Sequence, residues 1–306
     1  MKYPFWKAHL ALFLVNALYG ASHILAKGIM PTYLTPNVFI LLRVLGATML
    51  FWIVRMFMPK EKIAKRDYPL LIASGLFGVT INQLFFFHGL NLSSSINSGI
   101  IMTMNPILVV ILAYFLLKEK ITGLKIGGII LGSAGAILLT LTSASLTKDS
   151  FLGDIFLLIN ALSYAVYLVI AKPLMQRYSP LTVITYVFTF GLGFILLFPL
   201  TITDMLVTDF SNIPMDAWIK IIYVIVGVTF LTYLLTMYGL KYLSPSVSSS
   251  YIYFQPMLVI FFAVYFSYLG IAADYTDSIT WEKMGYMLLI FLGVGMTSYR
   301  KKKALN

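Results

Sequence analysis

The sequence predicts an all-α polytopic membrane protein: ten transmembrane helices arranged as two inverted five-helix repeats, with both termini cytoplasmic. Three observations carry that expectation: a lipid-compatible composition, ten apolar runs of spanning length, and short motifs that recur in the same order in the two halves. Of 306 residues, 60% are hydrophobic and 11% charged, with a mean hydropathy of +0.90. A soluble domain carries about 25% charged residues. With no cysteine, disulfides, thiolate catalysis and Cys-ligated metal centres are excluded. No polar gap is long enough for a separate soluble domain. The first apolar segment carries a polar stripe and lacks a small-residue cleavage site, so it reads as a permanent helix, not a signal peptide.

A helix needs about twenty apolar residues to cross roughly 30 Å of hydrocarbon. Runs of that length cover residues 8–30, 37–58, 69–90, 94–117, 123–141, 151–171, 180–200, 217–240, 246–269 and 281–299. Only Asn91, Leu92 and Ser93 separate the third from the fourth, and 241–245 separate the eighth from the ninth, so both pairs are tight antiparallel hairpins.

Orientation follows from the basic residues, which concentrate on the cytoplasmic side. With the N-terminus inside, seventeen of the 22 Lys and Arg residues fall inside: Lys2, Lys7, Arg55, Lys60, Lys62, Lys65, Arg66, Lys118, Lys120, Lys125, Lys172, Arg177, Lys241, Arg300, Lys301, Lys302 and Lys303. Lys27, Lys148, Lys220 and Lys283 fall outside, and Arg43 lies within a helix. The net charge of +11 is thus a topology signal, and no nucleic-acid partner is expected.

The halves, 1–143 and 144–306, repeat one another. Leu14-Val15-Asn16-Ala17-Leu18 recurs as Leu158-Ile159-Asn160-Ala161-Leu162, and Ala26-Lys27 as Ala171-Lys172. Gly78-Val79-Thr80 matches Gly227-Val228-Thr229, Asn105-Pro106 matches Gln255-Pro256, and Ile121-Thr122 matches Ile279-Thr280. An odd number of helices per repeat forces the second copy to enter the membrane from the opposite side, as alternating-access carriers require.

Two five-helix units, the stretch from Asn105-Pro106-Ile107 to Leu117-Lys118-Glu119-Lys120-Ile121-Thr122, and the following helix with Gly127, Gly128, Gly132 and Gly135 resemble the EamA type of the drug/metabolite transporter superfamily. The resemblance covers essentially the whole chain. It implies a substrate cavity between the halves, lined by the first, third, fourth, sixth, eighth and ninth helices, and transport, often outward, of amino acids, related metabolites or toxic compounds. It also implies the inner (cytoplasmic) membrane of a bacterium. The second repeat departs from it: no acid corresponds to Glu119, and about eight extra residues precede Ile279.

Cavity-lining side chains should recur every three or four positions on one helix face. Such stripes supply the candidate substrate-binding residues: Asn16, Tyr19 and His23 in the first helix, Gln83 in the third, Ser98 and Asn105 in the fourth. Asn160, Tyr164 and Tyr167 follow in the sixth, Thr232 and Tyr233 in the eighth, and Ser248, Tyr251 and Gln255 in the ninth. Ser and Thr at such positions also bond neighbouring helices together. The second, fifth, seventh and tenth helices read as a smooth outer ring. Lys27 and Lys172 read as snorkelling residues, and Arg43 as a structural or gating residue.

No carboxylate occupies a helix centre, so the expectation is facilitated diffusion, exchange, or coupling through His23. A neutral or zwitterionic solute with an apolar part fits the aromatic faces. No catalytic residue, cofactor or metal site is expected, because no nucleophile–base pair, paired intramembrane acids or ligand-spaced histidines occur. The expected partners are a small-molecule solute and the lipid bilayer, and a monomer is compatible with both. A channel-like facilitator, or an exporter of toxic or drug-like compounds, is the alternative.

Overall fold

A computed structural model describes residues 5–25, 29–30, 32–93, 101–143, 151–270 and 280–299, with the side chains of His23, Ile24 and Ser143 excepted. His23, as a side chain, Ser98 and Lys27 therefore lie outside what is described. The helical segments are α1 (Phe5–Leu25), α2 (Pro36–Met56), α3 (Lys65–Leu92), α4 (Asn105–Leu117), α5 (Gly123–Ser143), α6 (Phe151–Arg177), α7 (Pro180–Leu197), α8 (Met215–Tyr242), α9 (Pro245–Tyr268) and α10 (Trp281–Ser298). Among the described residues no strand occurs. Seven of these helices, α2, α3 and α5 to α9, are long and apolar enough to cross a membrane. α4 has 13 described residues.

Helix starts follow local chemistry. Thr35 before Pro36, Ser179 before Pro180 and Ser244 before Pro245 each accept a hydrogen bond from the backbone N–H three residues on. The proline fits the first turn, where its missing N–H has no intrahelical partner anyway. Three boundaries differ from the sequence reading. Ile29 and Met30 lie in a turn beyond α1, with the Tyr33 N–H donating to the Ile29 carbonyl at 3.0 Å. α6 runs on through Lys172-Pro173 to Arg177, although the proline removes one intrahelical hydrogen bond. The seventh apolar run is broken at Phe198, where the extended backbone before Pro199 follows the preference of pre-proline residues. A separate short helix, Pro199–Val207, follows.

Packing exchanges elements between the halves. α1 of the first half packs on α8 and α9, and α6 of the second packs on α3 and α4. α2 packs against α7, and α5 against α10. Each contact maps onto its partner or onto itself when the halves are swapped. α5 and α10 approach to backbone contact: a Cβ on Gly293 would lie 2.4 Å from the Gly132 nitrogen, and one on Gly128 would lie 2.6 Å from the Gly293 carbonyl oxygen. Small residues of this kind let helices associate where lipid supplies no hydrophobic drive.

α5 and α10 thus suit the outer position expected of them, whereas α2 and α7 also bury one face deeply. Val38, Phe39, Val44 and Phe51 of α2 and Val183, Val187 and Phe188 of α7 lie in the larger of two buried cores, with parts of α3, α6 and α8. Each also keeps an exposed apolar flank, with Trp52 and Ile53 on α2 and Leu196 and Leu197 on α7, and apolar periodicity cannot tell a buried face from one that faces lipid.

α3 and α8 each widen to an i→i+5 (π) turn, at Leu76–Ile81 and Val224–Leu231. These turns contain the repeated Gly-Val-Thr motif. Thr229 Oγ1 donates to the Val224 carbonyl five residues back at 2.9 Å, and Thr80 Oγ1 donates to the Gly191 carbonyl of α7 at 3.1 Å. α9 tightens to a 3₁₀ turn at Tyr251–Tyr253 before Gln255-Pro256, and α4 begins after a turn at Thr103-Met104, before Asn105-Pro106. Regular helix is therefore interrupted in matched pairs, as π turns are where function requires it.

Candidate functional site

The widened turns of α3 and α8 frame a buried aromatic cluster. Tyr164 and Tyr167 lie three residues apart on α6, ring centroids 6.4 Å apart, and Tyr167 stands 6.5 Å from the Tyr233 ring of α8. The Tyr167 ring fills the space at Gly78, where a Cβ would lie 2.4 Å from Cδ2. The Tyr233 hydroxyl donates to the Gly78 carbonyl at 3.0 Å, and its ring meets Phe188 of α7 edge-on at 4.8 Å. From α1, Tyr19 shares a 3.3 Å hydrogen bond with Thr232.

α2 adds the charge. Arg43, only 6% exposed, donates from Nε to Thr229 Oγ1 at 3.1 Å. Its guanidinium carbon lies 4.8 Å from the Phe87 ring centroid and 5.5 Å from that of Phe39. Cation–π contacts contribute up to about 2 kcal/mol each when desolvated. Burying an ion costs several kcal/mol, so the rings offset only part of it. The ion pairs among the described residues, Lys125–Glu119, Arg177–Asp67 and Lys220–Asp216, do not include Arg43.

Gln83, 3% exposed, lies against the Tyr233 hydroxyl, yet neither its amide nitrogen nor its oxygen reaches a partner in good hydrogen-bond geometry. Buried amides are nearly always satisfied, and the polar group beside this one is the Tyr233 hydroxyl.

The ends of the bundle are tied shut. At the basic end Arg177 and Tyr178 both donate to Asp67, and Arg55 donates to Thr182 and to the Glu61 carbonyl. The Ser179 N–H and hydroxyl donate to the Glu61 carboxylate. Burial alone would raise the Glu61 pKa, but hydrogen bonds from Thr182 and Ser179 and the nearby Arg55 charge outweigh it and hold the carboxyl below its ordinary value. Lys172 donates to the Leu240, Lys241 and Leu243 carbonyls at 2.5 to 3.3 Å; it caps the end of α8, where sequence pointed to snorkelling. At the opposite end Thr35 and Asn37 donate to Asp204, Asn37 also bonds His88 at 2.9 Å, and Ser93 donates to Asp154.

Of the sequence candidates, Tyr19, Gln83, Tyr164, Tyr167, Thr232 and Tyr233 come together in this cluster. Asn160 adjoins it, donating to the Asn82 carbonyl at the end of the α3 π turn at 2.7 Å. Asn16 instead bonds its own helix, at the Leu12 carbonyl. Tyr251 bonds His9 at 2.6 Å and lines a cleft of about 360 Å³ between α1, α9 and α10 near the basic end, outside the cluster. Asn105 meets Met102 Sδ at 3.6 Å, its Oδ1 and the buried Ser248 hydroxyl have no partner among the described residues, and Gln255 is half-buried. The candidate set omits Phe39 and Phe87, which carry no polar atom to mark them. It also omits Arg43, whose position in an otherwise apolar helix was the available signal.

The model of the EamA-like transporter family matches this chain twice, over residues 6–141 and 151–299. The chain belongs to the EamA-like transporter family. Among the relatives of this EamA-like transporter are two from Bacillus subtilis (strain 168). The uncharacterized transporter YyaM is 28% identical over 211 residues, 67% of this chain and 68% of YyaM. The uncharacterized transporter YetK is 26% identical over 248 residues, 79% of this chain and 74% of YetK. A solved crystal structure, 17% identical, superposes with a TM-score of 0.71 over 95% of this chain and 96% of the other, which shows the shared fold. The family and the apolar helices make this EamA-like chain a multi-pass membrane protein.

Proposed function

We propose that this chain is a ten-helix carrier that moves a small organic solute, an amino acid or related metabolite, by alternating access through a central cavity between its halves. Its halves, 1–143 and 144–306, are inverted repeats, and both termini are cytoplasmic in the inner membrane of a bacterium. The observation that carries this reading is the exchange of helices between halves around one buried cluster. α1 enters the second half as α6 enters the first, and the π turns of α3 and α8 meet Tyr167, Tyr233 and Arg43 there. A carrier needs a central site whose two closures can open in turn, and here both ends are tied by separate polar networks. The orientation is supported by the coherence of those ends. Arg55, Asp67 and Arg177, assigned inside by charge, meet at one end, and Thr35, Asp204 and His88 meet at the other.

Tyr19, Gln83, Tyr164, Tyr167, Thr232 and Tyr233 form the solute site. Asn105 and Gln255, beside the interrupted turns of α4 and α9, and Asn160 and Ser248 line its approaches. Coupling to protons, if present, runs through His23, since no carboxylate sits mid-helix.

Counterflow tests the carrier reading. Proteoliposomes preloaded with an unlabelled metabolite extract should take up solutes from the same extract, isotopically labelled, faster than empty ones. Equal or slower uptake contradicts a carrier and favours a channel. Accumulation under a pH gradient that His23→Ala leaves unchanged removes the histidine from the mechanism.

A further inference from the structure

We propose that Arg43 is the anchor for a negatively charged group on the transported solute, so that the substrate class is restricted to compounds bearing a carboxylate or a comparable small oxyanion. The inference rests on the carrier reading above and adds to it the charge of the cargo.

Several cations at the ends of the bundle are compensated by the protein. Arg177 meets Asp67, Lys125 meets Glu119, Arg55 takes Thr182 and the Glu61 carbonyl, and Lys172 takes three helix-end carbonyls. Arg43, buried in the bundle at 6% exposure, has no such compensation. Among the described residues its Nε alone meets an acceptor, the Thr229 hydroxyl, and no carboxylate comes within 4 Å. A structural arginine in lipid is expected to face an acid or several carbonyls. A guanidinium presents five donors in a planar fork that matches a carboxylate bidentately. Most of that fork has no acceptor among the described residues, while Phe39, Phe87 and Thr229 fix its position.

A second, independent group points to the same place. Among the described residues the buried Gln83 amide makes no bond of good geometry, and it adjoins the cluster at Tyr233, which like Tyr19 lies close enough to Arg43 to feel its charge. An anion on Arg43 would leave Gln83 and the tyrosine hydroxyls for a neighbouring amine or hydroxyl, and the Tyr164 and Tyr167 rings for an apolar part. That describes a zwitterion or an apolar acid. A purely cationic solute would meet an unopposed positive charge.

The test uses proteoliposomes of the full chain offered an isotopically labelled metabolite extract, with mass spectrometry of what enters. The wild type should move compounds that carry a carboxylate, phosphate or sulfonate and exclude amines lacking one. Arg43→Gln should lower those rates by at least about tenfold, and Arg43→Lys should retain part of them. If Arg43→Gln fails to fold, Thr229→Asp sets an internal carboxylate beside Arg43 and should slow anionic solutes selectively. Transport of neutral or cationic compounds by the wild type, or unchanged anion transport by a folded Arg43→Gln, overturns the proposal while leaving the carrier intact. A wild type that moves nothing overturns the carrier reading, and the anchor with it.

Discussion

The Tyr233 hydroxyl donates to the Gly78 carbonyl across 3.0 Å, so a side chain from the second half of the chain satisfies the loosened turn of the first. An i→i+5 turn disturbs the regular carbonyl pairing of a helix. Tyr233→Phe removes the donor and keeps the ring against Phe188 and Tyr167. The expected cost is about 1–2 kcal/mol, read as a lower Tm in detergent, with slower transport at unchanged expression. An unchanged Tm would show that the bond contributes nothing.

Gly78 is needed for its size. A methyl group there would lie 2.4 Å from the Tyr167 ring, and overpacking of that kind costs about 1–3 kcal/mol. Gly78→Ala should be destabilised and transport poorly, and Gly78→Ala combined with Tyr167→Leu should recover stability but not activity. Thermal unfolding of the two variants side by side checks this.

The α5–α10 pair makes a separate prediction, because its contact is backbone on backbone at Gly132 and Gly293. Gly293→Leu forces these helices apart and should lower Tm more than Gly295→Leu, a neighbour where an added Cβ meets nothing within 4 Å. Equal effects would contradict the packing.

Glu61 gives the closure at the basic end a pH dependence. Its folded-state pKa is depressed, so its contribution is present in full above the ordinary carboxylate value of about 4.3 and is lost as pH falls through the lower folded value. The group is half-buried, and screening limits the effect to under about 1 kcal/mol. Wild type should lose slightly more stability than Glu61→Gln between about pH 5 and pH 3, measured as the difference in Tm at each pH.

Much of this was legible in the sequence, for identifiable reasons. The repeated Gly-Val-Thr marked the place where α3 and α8 both widen, but a single extra residue in a turn barely alters apolar periodicity, so the widening itself stayed hidden. The Thr80 and Thr229 hydroxyls, free to bond a carbonyl five residues back or on α7, were its trace. Helical spacing placed Tyr19, Gln83, Tyr164, Tyr167, Thr232 and Tyr233 on inward faces and all six meet. The same spacing also selected Asn16 and Tyr251, which turn to the Leu12 carbonyl and to His9, because spacing fixes a face and not which neighbour that face meets. Arg43 was visible as a charge in an apolar helix, but only the burial of α2 shows that it lies in the middle of the bundle.

The absence of cysteine allows the central claim, one buried site reachable in turn from both sides, to be tested without background. Thr232, fully buried beside Tyr19, is replaced by cysteine and exposed to a membrane-impermeant thiol reagent in right-side-out and in inside-out vesicles. The account predicts slow modification from each side, with loss of transport. Modification from one side alone, or from neither while transport continues, would contradict it.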